Sequence, residues 1–260
     1  KADGSACKPP NLTKLLVCSL NGRSLNPSYY MYWLILFIGP MLFGLYAQHK
    51  IKTAYAKNLR IGSRGRITGY EAAKAVISSA GITDVEIVQV PGQLSDHYDP
   101  INKRLALSQA NYQGSSLAAV GVAAHEAGHA IQHKVGYSMM KIRQTMVPAT
   151  QIASTISSYV MMGGIFLLMF AGSALGYNLL MLGAIALAVI VLFQLVTLPV
   201  EFDASRRAKV QLVELGILDR DEMKGVNETL NAAALTYVAA FVAALGSLLH
   251  VLMILQGRRD

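Results

Sequence analysis

The sequence predicts a mainly α membrane protein with about four transmembrane helices and a small α+β domain. Hydrophobic residues make up 53% of the 260-residue chain and charged residues only 15%, against the roughly 25% usual in soluble domains. No Lys, Arg, Asp or Glu occurs in 24–49, 144–200 or 229–257. Buried helices of a soluble core are the alternative, but the remaining polar surface is too small to cover so many apolar segments.

These stretches are long enough for four helices of the roughly 20 residues that cross a bilayer. We place the first span in 29–47 and the fourth in 232–260, which includes a short tail. Two spans occupy 147–199, joined by a turn at 171–178, where "AGSALGYN" is small, contains glycine and ends in asparagine. Residues 1–28 form an N-terminal extension whose role the sequence does not indicate.

The distribution of basic residues predicts the orientation of these spans. Of the 23 Lys and Arg residues, 17 lie from Lys50 to Lys224, in the two segments 48–146 and 200–231. Four spans put both segments on one side of the membrane, and the positive-inside rule assigns that side to the cytoplasm. The net charge of +8 therefore reflects topology, and we expect the lipid bilayer, not nucleic acid, to meet the basic residues.

The two cysteines, Cys7 and Cys18, both precede the first span. They are too few for a four-cysteine zinc site. They could pair with each other if the N-terminus lies outside, although free thiols are the simpler reading. We assign neither of them a function.

Segment 48–146 is large enough for a small domain. "TGYEAAKAVISSAG" predicts a helix over 68–81, with a capping box of Thr68 and Glu71 and a stop at Gly81. "VEIVQV" (85–90) and "RLALS" (104–108) predict strands, separated by a polar loop. A second helix is predicted from about residue 116 to 135.

The sequence of that second helix contains His125-Glu126-Ala127-Gly128-His129, which has the spacing H-E-x-x-H. Residues four apart lie on one face of a helix, so both imidazoles can reach one zinc ion. The glutamate between them can then act on a zinc-activated water. The alternative is a pair of surface histidines with a solvated glutamate.

A catalytic zinc site requires a third protein ligand, and the candidates are His133, His97, Asp203 and Glu201. Repeated steps of four residues drift around a helix, which disfavours His133. Glu201 is the first charged residue after 57 uncharged ones. A carboxylate at that depth is costly unless something pairs with it, and a zinc ion would be such a partner.

Three separated motifs resemble one family in their order along the chain: "DHYDP" (96–100), "HEAGHAIQH" (125–133) and "LPVEFDASRRA" (198–208). They resemble the YugP-like neutral zinc metallopeptidases of bacterial membranes, which are similar in plan to HtpX and the CAAX prenyl proteases. The likeness runs from about residue 30 to the C-terminus. It implies a multi-pass protein of the bacterial cytoplasmic (inner) membrane, with a zincin-like catalytic domain in 48–146 facing the cytoplasm.

The resemblance also implies the site residues of a gluzincin-type enzyme. His125, His129 and Glu201 would bind one Zn²⁺ per chain, with the third ligand in segment 200–231, and Glu126 would be the general base. Relatives often carry an aspartate four residues after the ligand glutamate, where this chain has Ser205. A serine can make one hydrogen bond to an imidazole but lacks the charge that raises its basicity; Asp203 is the nearby alternative.

We therefore expect a membrane-embedded zinc endopeptidase that hydrolyses peptides or damaged membrane proteins, a role in protein quality control. His97 and Tyr98 are candidate donors to the substrate or the oxyanion, and a hydrogen-bonded turn built by Asp96 and Asp99 is the alternative for that loop. The substrate sequence, any membrane partner protein and the homo-oligomeric state have no signal in the sequence.

Two other functions remain open. One is a non-catalytic membrane scaffold with a structural zinc site, but such a site has no use for Glu126 and usually has four protein ligands. The other is a transporter, for which only Pro40 and the pair Gly163-Gly164 give a hint. No acidic residue lies within a predicted span.

Overall fold

The computed structural model describes residues 34–171 and 174–256 and is mainly helical. A five-residue π-helical segment, Leu34–Ile38, comes first. The described elements that follow are α1 Gly39–Asn58, α2 Gly69–Ser79, β1 Glu86–Val90, β2 His97–Asp99, β3 Arg104–Ser108, α3 Gln109–Gln113, α4 Leu117–Lys134, α5 Ser138–Ala171, α6 Ala174–Glu214 and α7 Met223–Gln256. The predicted extension 1–28, with both cysteines, lies outside the described residues.

The chain divides into two compact units. In the described residues, the helical unit comprises 34–45, 145–195 and 239–256. The motif unit comprises Tyr46–Gln144 and Val196–Val238, and it contains the whole sheet and the H-E-x-x-H motif.

Three of the described helices, α5, α6 and α7, are long and apolar enough to cross a membrane. Only 17%, 33% and 22% of the residues in their most apolar windows are buried in the isolated chain. Apolar side chains facing outward suit contact with lipid. The predicted first span, 29–47, starts outside the described residues and continues as the π-helical segment and α1. That this segment adds a fourth crossing to the three helices therefore stays a prediction.

The predicted turn at 171–178 is too long, because α6 already begins at Ala174. Gly176 belongs to α6, where its lack of a side chain allows close packing. A Cβ at this position would lie 2.7 Å from the Leu168 nitrogen and 3.0 Å from the Gly164 oxygen. Gly176 therefore lets α6 approach α5 closely within the helical unit, a tertiary reason that local turn rules miss.

The local signals for helices in the motif unit are confirmed. In α2, the side chain of Thr68 accepts a hydrogen bond from the Glu71 backbone, and the Glu71 side chain accepts one from Thr68. Gly81, which follows this helix, has φ +65°, a left-handed conformation that glycine adopts without strain. The H-E-x-x-H helix is α4, capped by the side chain of Ser116, which accepts from the Ala119 nitrogen.

The sheet of the motif unit has the strand order β1-β3-β2. Strands β1 and β3 correspond to the predicted strands at 85–90 and 104–108. They pair in parallel with each other, and β2 pairs antiparallel with β3. The prediction of a polar loop is wrong at 97–99, where His97 pairs with Ala106 and Asp99 with Arg104. Three polar residues show no hydrophobic alternation, so only their pairing with β3 makes them a strand.

Helix α4 runs through the core of the motif unit. Its buried face is built from small residues such as Ala123, Ala124 and Ala127, all fully buried. Larger side chains from the elements around it complete the hydrophobic cluster, among them Val76, Leu105, Leu107, Leu212 and Val226. Small residues on α4 bring its backbone close to its neighbours, which is how side chains on facing helices can converge.

The closest of these approaches involves Gly128, within the motif itself. A Cβ at Gly128 would lie 2.6 Å from the backbone oxygen of Ala204 on α6. That atom belongs to a helix backbone and cannot rotate away. Gly128 therefore sets how closely the motif helix packs against α6.

We predict that Gly128→Ala lowers the free energy of unfolding by about 1–3 kcal/mol, the usual cost of overpacking a core. The clash with Ala204 outweighs the roughly 1 kcal/mol that alanine contributes over glycine inside a helix. Thermal or denaturant unfolding in detergent measures the change. Gly163→Ala is the matched control, because no atom lies within 4 Å of a Cβ there; equal stability of the two variants would contradict the packing argument.

Candidate metal centre

The structure brings His125, His129 and Glu201 together. The two histidines lie one turn apart on α4, and Glu201 lies on α6. Glu201 Oε2 is 3.2 Å from His125 Nε2 and 3.6 Å from His129 Nε2. One ligand atom from each residue lies within 4.8 Å of the others. It is the one such cluster of three or more His, Cys, Asp or Glu residues in the described part of the chain.

This donor set fits a zinc ion. Neighbouring ligands of a tetrahedral zinc with bonds of about 2.05 Å are about 3.4 Å apart. The two distances from the Glu201 carboxylate to the imidazoles bracket that value. Two imidazole nitrogens and one carboxylate are also the protein ligands of several catalytic zinc sites, which leave the fourth position open.

The second nitrogen of each imidazole has its own polar contact. His125 Nδ1 lies 3.1 Å from Ser205 Oγ, and His129 Nδ1 lies 3.0 Å from Gln132 Oε1. Such contacts orient ligating histidines so that Nε2 faces the metal. Ser205 makes the single hydrogen bond that its position four residues after Glu201 suggested.

Glu201 is almost completely buried, with 2% of its surface exposed. Arg143 donates from Nη1 to Glu201 Oε1 over 2.9 Å, and the Tyr237 side chain lies near this carboxylate. One carboxylate oxygen thus faces an arginine while the other faces the two imidazoles. Neither Arg143 nor Tyr237 was predicted, although Arg143 is the last charge before the same uncharged stretch that Glu201 follows.

Glu126 is buried beside these groups, with 8% of its surface exposed. Burial raises its pKa, the charges of Glu201 and Asp96 raise it further, and His125 and His129 oppose the rise. A carboxylate with a raised pKa takes up a proton more readily near neutral pH, which suits a general base.

His129 is subject to two opposed effects. Burial lowers its pKa, while the hydrogen bond and the charge of Glu201 raise it, and the net shift is upward. Coordination to a metal requires the unprotonated Nε2, so metal binding at this residue releases a proton when the imidazolium form is populated.

The predicted oxyanion candidates have their contacts elsewhere. His97 is exposed, and its Nδ1 lies 2.8 Å from the Ser95 oxygen. The Tyr98 hydroxyl lies 2.9 Å from His133 Nδ1, and burial raises the Tyr98 pKa to about 12. The structure therefore does not bring His97, Tyr98 or His133 into contact with the three clustered residues.

The acidic residues around the sheet support the loop structure. Asp96 accepts from the Ser108 backbone and from Asn111, and Asp99 accepts from the backbone of Ile101. The bond of Asp99 matches the alternative of a hydrogen-bonded turn, whereas Asp96 connects its loop to the end of β3 and to α3. Asp203, the remaining candidate for a ligand, accepts from Gln132, Arg206 and Arg207 instead.

Comparison with known proteins gives the same assignment as the motifs. The family described as "Putative neutral zinc metallopeptidase" matches residues 33–256. The chain belongs to this YugP-like family. It is 40% identical over 230 residues to the "Putative membrane protease YugP" of Bacillus subtilis (strain 168), covering 88% of this chain and 99% of that protein. No solved structure gave a significant match. The family and three apolar helices together fit a membrane protein.

We predict that Arg143→Gln lowers the free energy of unfolding by up to about 3 kcal/mol, because it removes one partner of a buried carboxylate. Unfolding of the zinc-free protein is the measurement. Combining it with Glu201→Gln should cost less than the sum of the single changes, since the variant then has no unpaired charge.

Arg206→Gln is the control for Arg143→Gln. Arg206 is exposed, and its partner Asp203 keeps Arg207 and Gln132. We expect its effect to stay below about 1 kcal/mol, as for surface ion pairs. Additive effects of Arg143→Gln and Glu201→Gln would show that the pair contributes nothing to the fold.

Proposed function

We propose that the protein is an integral-membrane, zinc-dependent endopeptidase of the gluzincin type. The observation that carries the proposal is the buried cluster of His125, His129 and Glu201, with Glu126 buried next to it. The membership of a zinc metallopeptidase family supports it. In this proposal the three clustered residues hold one Zn²⁺, which when bound supplies a Lewis acid for a water molecule and for the scissile carbonyl.

The other steps belong to the side chains. Glu126 accepts the proton of the attacking water and transfers it to the leaving amine, a role for which its raised pKa is suited. Arg143 holds Glu201 in place by a hydrogen bond to its carboxylate. His97 and Tyr98 remain predictions as oxyanion donors, with contacts that point them to Ser95 and His133.

The proposed topology has four spans, with 48–146 and 200–231 in the cytoplasm. The 17 Lys and Arg residues between Lys50 and Lys224 support this orientation. The site then lies on the cytoplasmic side of a bacterial inner membrane. Peptides and damaged membrane proteins are the proposed substrates, because the relative is named a "Putative membrane protease" and a site beside a bilayer meets such chains first.

A membrane scaffold with a structural zinc is the alternative. Structural zinc sites usually have four protein ligands, and the cluster found in the described residues has three. A buried Glu126 also has no task in a scaffold, where its desolvation would only cost stability. Both observations favour the enzyme.

The decisive experiment compares the purified protein with Glu126→Gln. We expect the variant to retain one zinc ion per chain and to lose hydrolysis of casein, or of a co-expressed misfolded membrane protein, by about 10²- to 10⁴-fold. Glu214→Gln, a change at an exposed glutamate, is the matched control and should keep full activity. Zinc in both proteins with cleavage by neither would favour the scaffold.

The native cysteines test the topology without any substitution. Cys7 and Cys18 both precede the proposed first span. In spheroplasts treated with a reductant, a membrane-impermeant maleimide should label them, because four spans place the N-terminus outside. A cysteine introduced at Ile101, which is 89% exposed, should react only after permeabilisation. If the maleimide does not label the native cysteines, the N-terminus lies inside and the protein has three spans.

A further inference from the structure

Gln132 is a buried polar residue for which the proposed mechanism has no task. It lies on α4 three residues after His129, and none of its surface is exposed. Burying an amide is unfavourable unless its donors and acceptor are all bonded. The contacts of Gln132 therefore indicate what the side chain does.

The hydrogen bonds of Gln132 allow only one orientation of its amide group. Nε2 donates to the Val200 backbone oxygen over 2.7 Å and to Asp203 Oδ2 over 3.0 Å. Both partners are acceptors, and Asp203 is further paired with Arg206 and Arg207. If the amide nitrogen and oxygen were exchanged, the amide oxygen would face the oxygens of Val200 and Asp203, and no hydrogen bond could form. The nitrogen must therefore face α6 and the oxygen must face His129.

This orientation defines the protonation of His129. An amide oxygen can only accept a hydrogen bond, so the Nδ1 atom, 3.0 Å away, must carry a proton. The lone pair of the neutral imidazole is then on Nε2, the atom that faces Glu201. His125 differs, because the hydroxyl of Ser205 can rotate to donate or to accept.

The same amide also connects the two helices that carry the ligands. Its acceptors Val200 and Asp203 are within two residues of Glu201 on α6, whereas His129 is on α4. The buried side chain of Gln132 thus connects His129 on α4 to the turn of α6 that carries Glu201.

We propose that Gln132 is a positioning residue that presets His129 as an Nε2 ligand and aligns it with the ligand-bearing turn of α6. The inference rests on the proposed metal centre but not on peptidase activity. Contacts of this kind typically change metal affinity by about 10- to 100-fold when they are removed.

The test is Gln132→Met, which preserves side-chain length and removes the acceptor and both donors. We expect the folded variant to bind Zn²⁺ about 10- to 100-fold more weakly in competition with a chelator. Gln113→Met makes the same change at an exposed glutamine and should leave the affinity unchanged. Affinity equal to that of the unaltered protein in Gln132→Met would overturn the proposal.

A second measurement needs no variant, so it remains decisive if Gln132→Met does not fold. The chain has six histidines, few enough to resolve by NMR of the zinc-loaded protein with isotope-labelled histidine. The proposal expects His129 to show a slowly exchanging proton on Nδ1 and coordination through Nε2. Coordination through Nδ1, or the absence of that proton, would overturn it.

These outcomes are separable from those of the proposed function. If the unaltered protein binds no zinc, both the metal centre and this inference fail. If it binds zinc but cleaves nothing, the scaffold gains while the role of Gln132 can still be measured. If it binds zinc and Gln132→Met binds it equally well, only the positioning role is wrong.

Discussion

The burial of one carboxylate governs the arrangement of the motif unit. An ionised carboxylate that leaves water costs several kcal/mol unless opposite charges and hydrogen bonds replace its hydration. Glu201 obtains these partners from two other helices, His125 and His129 on α4 and Arg143 on α5, and Tyr237 of α7 lies nearby. Pairing Glu201 therefore requires these helices to meet at one point on α6. The packing of the motif unit holds the cluster together, and the need to pair Glu201 in turn determines that packing.

The small residues of α4 allow the helices to approach one another, and polar contacts then give each residue of the cluster a different environment. Gly128 lets the backbones of α4 and α6 approach, so that short side chains can bridge them. The two oxygens of Glu201 have separate partners, an arginine and an imidazole pair. The two histidines also differ, because Gln132 offers only an acceptor whereas Ser205 offers a rotatable hydroxyl. A cluster of three candidate ligands thus contains two unlike imidazoles, a distinction that H-E-x-x-H spacing does not reveal.

Local signals predicted the parts of the structure that depend on local physics. The capping box of Thr68 and the stop at Gly81 define α2, and the four-residue spacing of His125 and His129 defines two of the three members of the cluster. Glu201 could be selected because a charge is rare beside so many apolar residues. Gln132, Tyr237 and strand β2 depend on which faces meet in three dimensions, and so no local pattern indicated them. His97 and Tyr98 were inferred by analogy, and their contacts lie with other groups.

The order of the cluster along the chain has a consequence for the biogenesis of the protein. The histidines on α4 and the carboxylate on α6 are separated by α5, and both α5 and α6 contain segments apolar enough to cross a membrane. If both cross, the hairpin returns the chain to the side from which it left, so that Glu201 and the histidines lie on the same side of the membrane. All three residues of the cluster are present only once the chain has been synthesised beyond Glu201, 76 residues after His125. The motif unit, which also includes Val196–Val238, can therefore be completed only after these two apolar helices have been made.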